Sequence, residues 1–264
     1  MQDLNVALIQ AELVWENQDA NLRRFDEHIA QVPEDVDLIV LPEMFTTGFS
    51  MHPARLAQGM DGPAVIWMQD RARQTLTDLV GSLIIKEQSC YFNRLIWAKP
   101  DGRLYWYDKK HLFRYAGEHK AYTAGQQRLR VTCRGWTICP FTCYDLRFPI
   151  WTRNLNNAYD AALFVANWPE RRSAHWKALL TARAIENQCY VVGVNRVGVD
   201  GNGHRYSGDS RIIDPQGEMV AGTSHVEAII TQRLSVEGLE GYRREFPAWR
   251  DADGELLKER QTPK

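Results

Sequence analysis

No apolar run in this sequence approaches the roughly 18 residues that cross a bilayer. The opening Met1-Gln2-Asp3-Leu4-Asn5 also lacks the basic start and long apolar stretch of a secretory signal. A soluble, cytoplasmic protein with no membrane partner is therefore expected. Cysteine is scarce and odd in number, with Cys90, Cys133, Cys139, Cys143 and Cys189 the five in 264 residues. Such a set is no disulfide framework and suits a reducing compartment. Nor does it suggest zinc: the tightest cluster, C-x5-C-x3-C from Cys133 to Cys143, has no C-x2-C pair, and no two of the seven histidines stand at H-x3-H spacing. A charge surplus is missing too, since 32 Lys plus Arg face 33 Asp plus Glu for a net charge of −1. Nothing here grips nucleic acid independently of sequence, and a small-molecule ligand is the expectation. Nucleotide loops are absent: no G-x4-G-K-[ST] occurs, and Gly201-x-Gly203 lacks a third glycine and sits in a turn. No Gly/Ser/Pro-rich linker, low-complexity tract or fixed-period repeat divides the chain.

What is present is ordinary globular composition, 44% apolar and 25% charged, with 9 Trp, 10 Tyr and 9 Phe to fill a heavy core or line a pocket. Short apolar runs bounded by Pro, Gly, Asp or Asn read as strands: 6–9, 38–41, 79–85, 95–98, 129–143 in two pieces, 161–166, 190–194, 211–213 and 228–230. Pro100-Asp101-Gly102, Asp200-Gly201-Asn202-Gly203 and Asp214-Pro215-Gln216-Gly217 read as hairpin turns. Helical stretches fall near 18–31, 63–77 and 173–188, the last with Ser173 as N-cap and Trp176, Leu179 and Leu180 as its buried stripe. Strands both interleaved with helices and joined by hairpins predict a layered α/β protein with a mixed sheet or two sheets.

Three segments can carry chemistry. Thr137 to Thr142 reads as a buried strand that runs into Cys143 and then towards a helix beginning near Pro149. A thiol at such a turn is either a small core residue or a nucleophile whose thiolate the helix N-terminus favours, with the Tyr144 N–H available to an oxyanion. Glu43 follows the apolar run Leu38 to Leu41 and Pro42. It is either a strand-end surface charge or a desolvated base. Lys109 and Lys110 stand among aromatic residues between Tyr105 and Phe113, as solvated charges or as donors to a developing oxyanion.

Taken together, Leu41-Pro42-Glu43-Met44-Phe45, Lys109-Lys110-His111-Leu112-Phe113 and Cys143-Tyr144-Asp145-Leu146-Arg147-Phe148-Pro149 resemble the three signatures of the nitrilase, or carbon–nitrogen hydrolase, superfamily. Their order and their spacing, 43 to 109 and 109 to 143, fit as well. The resemblance extends from Val6-Ala7-Leu8-Ile9-Gln10 through 183–188 and 208–218 to about Leu234, and is strongest to the omega-amidase branch.

The resemblance implies an α-β-β-α sandwich of two mixed sheets and a homodimer that pairs through its helices. It places the catalytic glutamate on Glu43, the lysine on Lys109 in preference to Lys110, the nucleophile on Cys143 and a second glutamate on Glu118. It further implies hydrolysis of the terminal amide of short dicarboxylic monoamides such as 2-oxoglutaramate, with no metal or cofactor. The distal carboxylate then needs a cation, for which Arg147, Arg171 and Arg172 are candidates, Arg172 first, with Phe45, Tyr144 and Trp168 as apolar walls. Rival readings are a Cys–His hydrolase pairing Cys143 with His111 or His175, N-carbamoyl or nitrile chemistry on the same triad, and a non-catalytic redox or binding protein. Because Glu43, Lys109 and Cys143 span 100 positions with strands still to follow, one domain over 1–264 is expected, with a polar tail at 258–264.

Overall fold

The computed structural model describes residues 1–253, and the tail expected at 258–264 lies outside the described residues. In chain order the strands are β1 (Leu4–Gln10), β2 (Leu38–Val40), β3 (Asp78–Glu87), β4 (Cys90–Ala98), β5 (Leu104–Asp108), β6 (Val131–Cys133), β7 (Trp136–Thr142), β8 (Ala161–Val165), β9 (Tyr190–Val194), β10 (Val197–Val199), β11 (Arg205–Ile213), β12 (Met219–Ser224) and β13 (Ala228–Leu234). The helices are α1 (Gln18–Ile29), α2 (Pro53–Leu56), α3 (Pro63–Thr75), α4 (Glu118–Ala121), α5 (Pro149–Thr152), α6 (Ser173–Asn187) and α7 (Val236–Glu245).

The strands form two sheets. One has the order β13-β1-β2-β3-β4-β5, and the other β10-β11-β9-β8-β7-β6 with β12 on β11. Both are mixed: β1, β2 and β3 run parallel, as do β7, β8 and β9, while the remaining pairs are antiparallel.

The alternation of side chains along a strand builds the layers. On β1, Leu4, Val6 and Leu8 enter a cluster shared with Phe141, Phe164 and Trp136 of the second sheet, whereas Ala7 and Ile9 enter a separate cluster with Phe25 of α1 and Val65, Met68 and Ala72 of α3. β4 divides in the same way, with Leu95 and Trp97 facing the second sheet and Ile96 and Ala98 facing the helices. On the far side α6 packs on the second sheet, where Leu180 and Trp176 cover Gly193 so closely that a Cβ there would stand 2.7 Å from Leu180 Cδ1. The result is the expected four-layer sandwich.

Each hairpin turn read from the sequence joins two strands: β4 to β5, β10 to β11 and β11 to β12. One capping expectation fails. Ser173 is already helical, and its hydroxyl donates to Asp209 Oδ2 at 2.7 Å instead of closing the first turn, so α6 begins without a side-chain cap. Among the described residues no helix is long and apolar enough to cross a membrane.

Candidate active site

Strand ends from both sheets deliver the candidate residues to one place. β2 passes through Leu41-Pro42 to Glu43, β5 ends immediately before Lys109, and β7 ends immediately before Cys143. Lys109 Nζ donates to Glu43 Oε1 at 2.8 Å and lies 3.0 Å from Glu118, the first residue of α4. All three side chains are fully buried. Asn93, in the middle of β4, donates to Glu43 Oε1 at 2.8 Å and to Glu118 Oε1 at 3.2 Å. Glu43 Oε2 accepts from the Asn167 N–H at 2.8 Å, and the Asn167 side chain donates back to the Glu43 carbonyl. Glu118 is further held by the Phe113 N–H. The two carboxylates are thereby fixed around one ammonium.

That arrangement settles the electrostatics by direction. Burial works against charge on Lys109, but Glu118 and Glu43 outweigh it and hold the ammonium above the ordinary lysine value. Burial pushes the Glu118 carboxyl up, Lys109 pulls it back, and Glu43 adds repulsion. Cys143 is pushed well above an ordinary thiol, first by burial and then by Glu43, against the pull of Lys109. Burial and Glu43 thus work against the thiolate that a helix N-terminus would favour. Cys143 opens a 3-10 turn of five residues, too short to offset desolvation of the anion. Cys143 thus stands near Glu43 in a setting that disfavours the thiol's anion.

Backbone conformation is unusual at both centres: Cys143 has φ +44° and Met44, next to Glu43, has φ +43°. Asp145 locks the elbow in place. Its carboxylate accepts from the Tyr107 hydroxyl at 2.6 Å, from the His111 N–H at 2.9 Å, from His111 Nδ1 at 2.8 Å and from the Thr142 N–H at 3.1 Å. The segment that carries Lys109 and the turn that carries Cys143 are thus tied to one buried group.

A cavity of 470 Å³ opens over Cys143 and Lys109. Tyr144, Trp168, Arg147, Arg171 and Arg172 line it, joined by Phe49 and Phe113, by Trp15, and by Asp200, Asn202, His204 and Tyr206 of the β10–β11 hairpin. Arg172 sits over the Phe113 ring at 5.2 Å, and burial, followed by the neighbouring Arg171, lowers its pKa. Arg147 lies 4.7 Å over the Trp168 ring and donates to His175 Nδ1 at 3.1 Å.

Phe45 does not belong to the cavity. After the turn at Met44 its ring points to the helical side of the first sheet, edge-on to Phe25 at 5.3 Å and 5.8 Å from Trp67. It is a core residue with no exposed surface. Lys110 turns away, donating to Gln126 Oε1 at 2.9 Å. The histidine rivals also find other partners, His111 with Asp145 and His175 with Arg147, and neither hydrogen-bonds to Cys143. Asn93 and Asn167 escaped the sequence reading. A polar pair, Asn93-Arg94, in the middle of β4 was the available signal for the first, and a strand-end position before Trp168 for the second.

Comparison with known proteins identifies its relatives. The carbon-nitrogen hydrolase family model matches residues 5–244. Omega-amidase YafV of Escherichia coli (strain K12) is 52% identical over 96% of this chain and 98% of its own length. The 2-oxoglutaramate amidase of Bacillus subtilis (strain 168) is 30% identical over 95% of this chain and 98% of its own. Among solved structures, XC1258 from Xanthomonas campestris, a CN-hydrolase superfamily protein with an arsenic adduct in its active site, superposes with a TM-score of 0.94 at 43% identity, covering 96% of this chain and 98% of that one. With the family model matched over nearly the whole chain and a relative of more than half identity along it, this chain belongs to the carbon-nitrogen hydrolase family.

Proposed function

We propose that this chain, an amidase of the carbon-nitrogen hydrolase family, hydrolyses the terminal amide of short dicarboxylic monoamides such as 2-oxoglutaramate, through a thioester on Cys143. The observation that carries the reading is the buried Glu43–Lys109–Glu118 cluster beside Cys143, opening on a cavity lined by three arginines. In the first half-reaction Glu43 takes the thiol proton as Sγ attacks the amide carbonyl. Lys109 and the Tyr144 N–H stabilise the oxyanion. Collapse breaks the C–N bond, and the proton on Glu43 leaves with the nitrogen as ammonia. In the second, a water gives its proton to Glu43 and adds to the thioester, the C–S bond breaks, and the proton returns to sulfur, releasing the acid. The scheme draws on no metal or organic cofactor.

Arg172, with Arg147 and Arg171 near it, supplies the positive charge for the distal carboxylate, and Tyr144, Phe113 and Trp168 supply the walls. The omega-amidase and 2-oxoglutaramate amidase names of the relatives support this substrate class. A cytoplasmic setting belongs to the same reading and is supported by five free cysteines. So does a homodimer, which the family resemblance implies. Phe246 stays 56% exposed, while the backbone of its own segment is pinned to Gln188.

Ammonia release from 2-oxoglutaramate, with carbamoyl compounds and nitriles as comparators, tests the reading. Glu43→Gln, Lys109→Arg and Cys143→Ala are each expected to lower turnover by about 10²–10⁴-fold or more. Wild-type turnover by Cys143→Ala would overturn the nucleophile assignment.

A further inference from the structure

Arg196, the residue after β9-linked Asn195, is fully buried. Its guanidinium donates to the carbonyls of Val197 at 3.0 Å, Leu13 at 3.3 Å and Val199 at 3.3 Å, and its remaining nitrogen, Nη1, has no hydrogen-bond partner. Among the described residues no carboxylate pairs with it. The acids near enough to feel its charge are Asp200 and Glu12, with Arg24 adding positive charge and the Tyr206 phenol also facing it. Asp200 is taken up by the Tyr206 hydroxyl and the N–H groups of Asn202 and His204, each at 2.9 Å. Glu12 lies along Gly198. Three carbonyl dipoles soften the buried charge without neutralising it, and an uncompensated buried ion is strongly unfavourable. Arginine nonetheless keeps its proton.

The guanidinium stands 4.7 Å over the ring of Tyr206, and Tyr206 lines the cavity. The same ring thus meets both the substrate space, which Asp200 also lines, and a buried guanidinium that no carboxylate among the described residues pairs with. We propose that Arg196 is a specificity-determining residue that tunes the cavity towards anionic amides from behind its wall, the missing countercharge arriving as the carboxylate of the bound substrate. The inference rests on the reading of this cavity as a monoamide site. It assigns to Arg196 a part distinct from that of Arg147, Arg171 and Arg172, which line the cavity themselves. At an effective dielectric near 20, a unit charge about 10 Å from a carboxylate alters affinity by about tenfold. Because Arg196 is buried, salt screens it less than it screens an exposed arginine.

Calorimetric titration in a Cys143→Ala background separates charge from shape, using glutaramate, which carries a carboxylate, and glutaramide, its neutral diamide counterpart. Arg196→Met is expected to weaken glutaramate binding by about tenfold while leaving glutaramide within about twofold, and Arg196→Lys to recover most of the loss. Equal weakening of both ligands, or of neither, would overturn the inference. If Arg196→Met does not fold, the protein with Arg147, Arg171 and Arg172 all changed to Gln decides. A preference for glutaramate must survive there, and its complete loss would show that the lining arginines alone create it. Hydrolysis of glutaramate by the wild-type protein is measured separately. Its absence would sink the functional reading, while the affinity ratios would still decide the role of Arg196.

Discussion

Asp145 shows how much one side chain can do without touching substrate. By accepting from Tyr107, His111 and Thr142 it fixes the distance between the lysine segment and the cysteine turn. Asp145→Asn, which must present an N–H to one of these donors, is expected to lower kcat by about 10–100-fold, since small misplacements of reacting groups are costly. Steady-state kinetics alongside a thermal melt would separate this from unfolding. Asp209 is the comparable group for stability. Burial works to raise its pKa, but hydrogen bonds from Ser207, Lys177, Ser224 and Ser173 prevail and hold it well below the ordinary carboxylate value. A depressed folded pKa means stabilisation that is present above the unfolded value of about 3.9 and lost as pH falls below it. Asp209→Asn is expected to cost about 2–4 kcal/mol near neutral pH, with the gap to wild type closing below about pH 4, as read by denaturant unfolding. That Glu43, Lys109 and Cys143 come together was legible in the sequence because each sits in a short local signature. Asn93 and Arg196 were not, because their meaning depends on which distant strands and loops surround them. Phe45 was misplaced because the φ of +43° at Met44, which decides the side its neighbour faces, leaves no mark in residue type.

The strand ends that carry the site depend on close backbone approach. Gly125, whose N–H donates to the Lys109 carbonyl at 3.0 Å, lies so near β5 that a Cβ on it would stand 2.0 Å from the Asp108 carbonyl oxygen. Gly125→Ala must push aside the strand end that presents Lys109. It is expected to reduce kcat by about 10-fold or more, a loss checked by ammonia release at saturating substrate. Most elements could be read in advance, since β1 to β4 and β7 to β9 are apolar runs and the three hairpin turns announce themselves. β12 could not, because its residues are exposed or half-buried along its length and show no alternation. α7 escaped as well, as only Leu239 in it is buried and the rest reads as a polar stretch. The Asp200–Gly203 turn was placed correctly as a hairpin, yet that it forms part of a cavity wall follows only from the packing of Trp15 against Gly201.

The two sheets share an apolar cluster, which includes Leu4, Trp97, Phe141 and Trp176. If the chain is one domain that pairs with a second copy, loss of activity and loss of secondary structure should coincide in denaturant, and the midpoint should rise with protein concentration. Separate transitions by circular dichroism and activity would count against a single domain, and a concentration-independent midpoint against pairing. The left-handed backbone at Met44 and Cys143 has a bearing on evolution and engineering. Non-glycine residues held there typically cost of order 1–3 kcal/mol each. At Met44 the loss of a fully buried side chain outweighs that relief, but selection for thermal endurance alone would favour glycine at 143, and glycine carries no sulfur. Libraries screened only for survival of heating should thus drift towards robust, inert proteins, so any hardening of this enzyme needs a turnover screen run beside the stability screen.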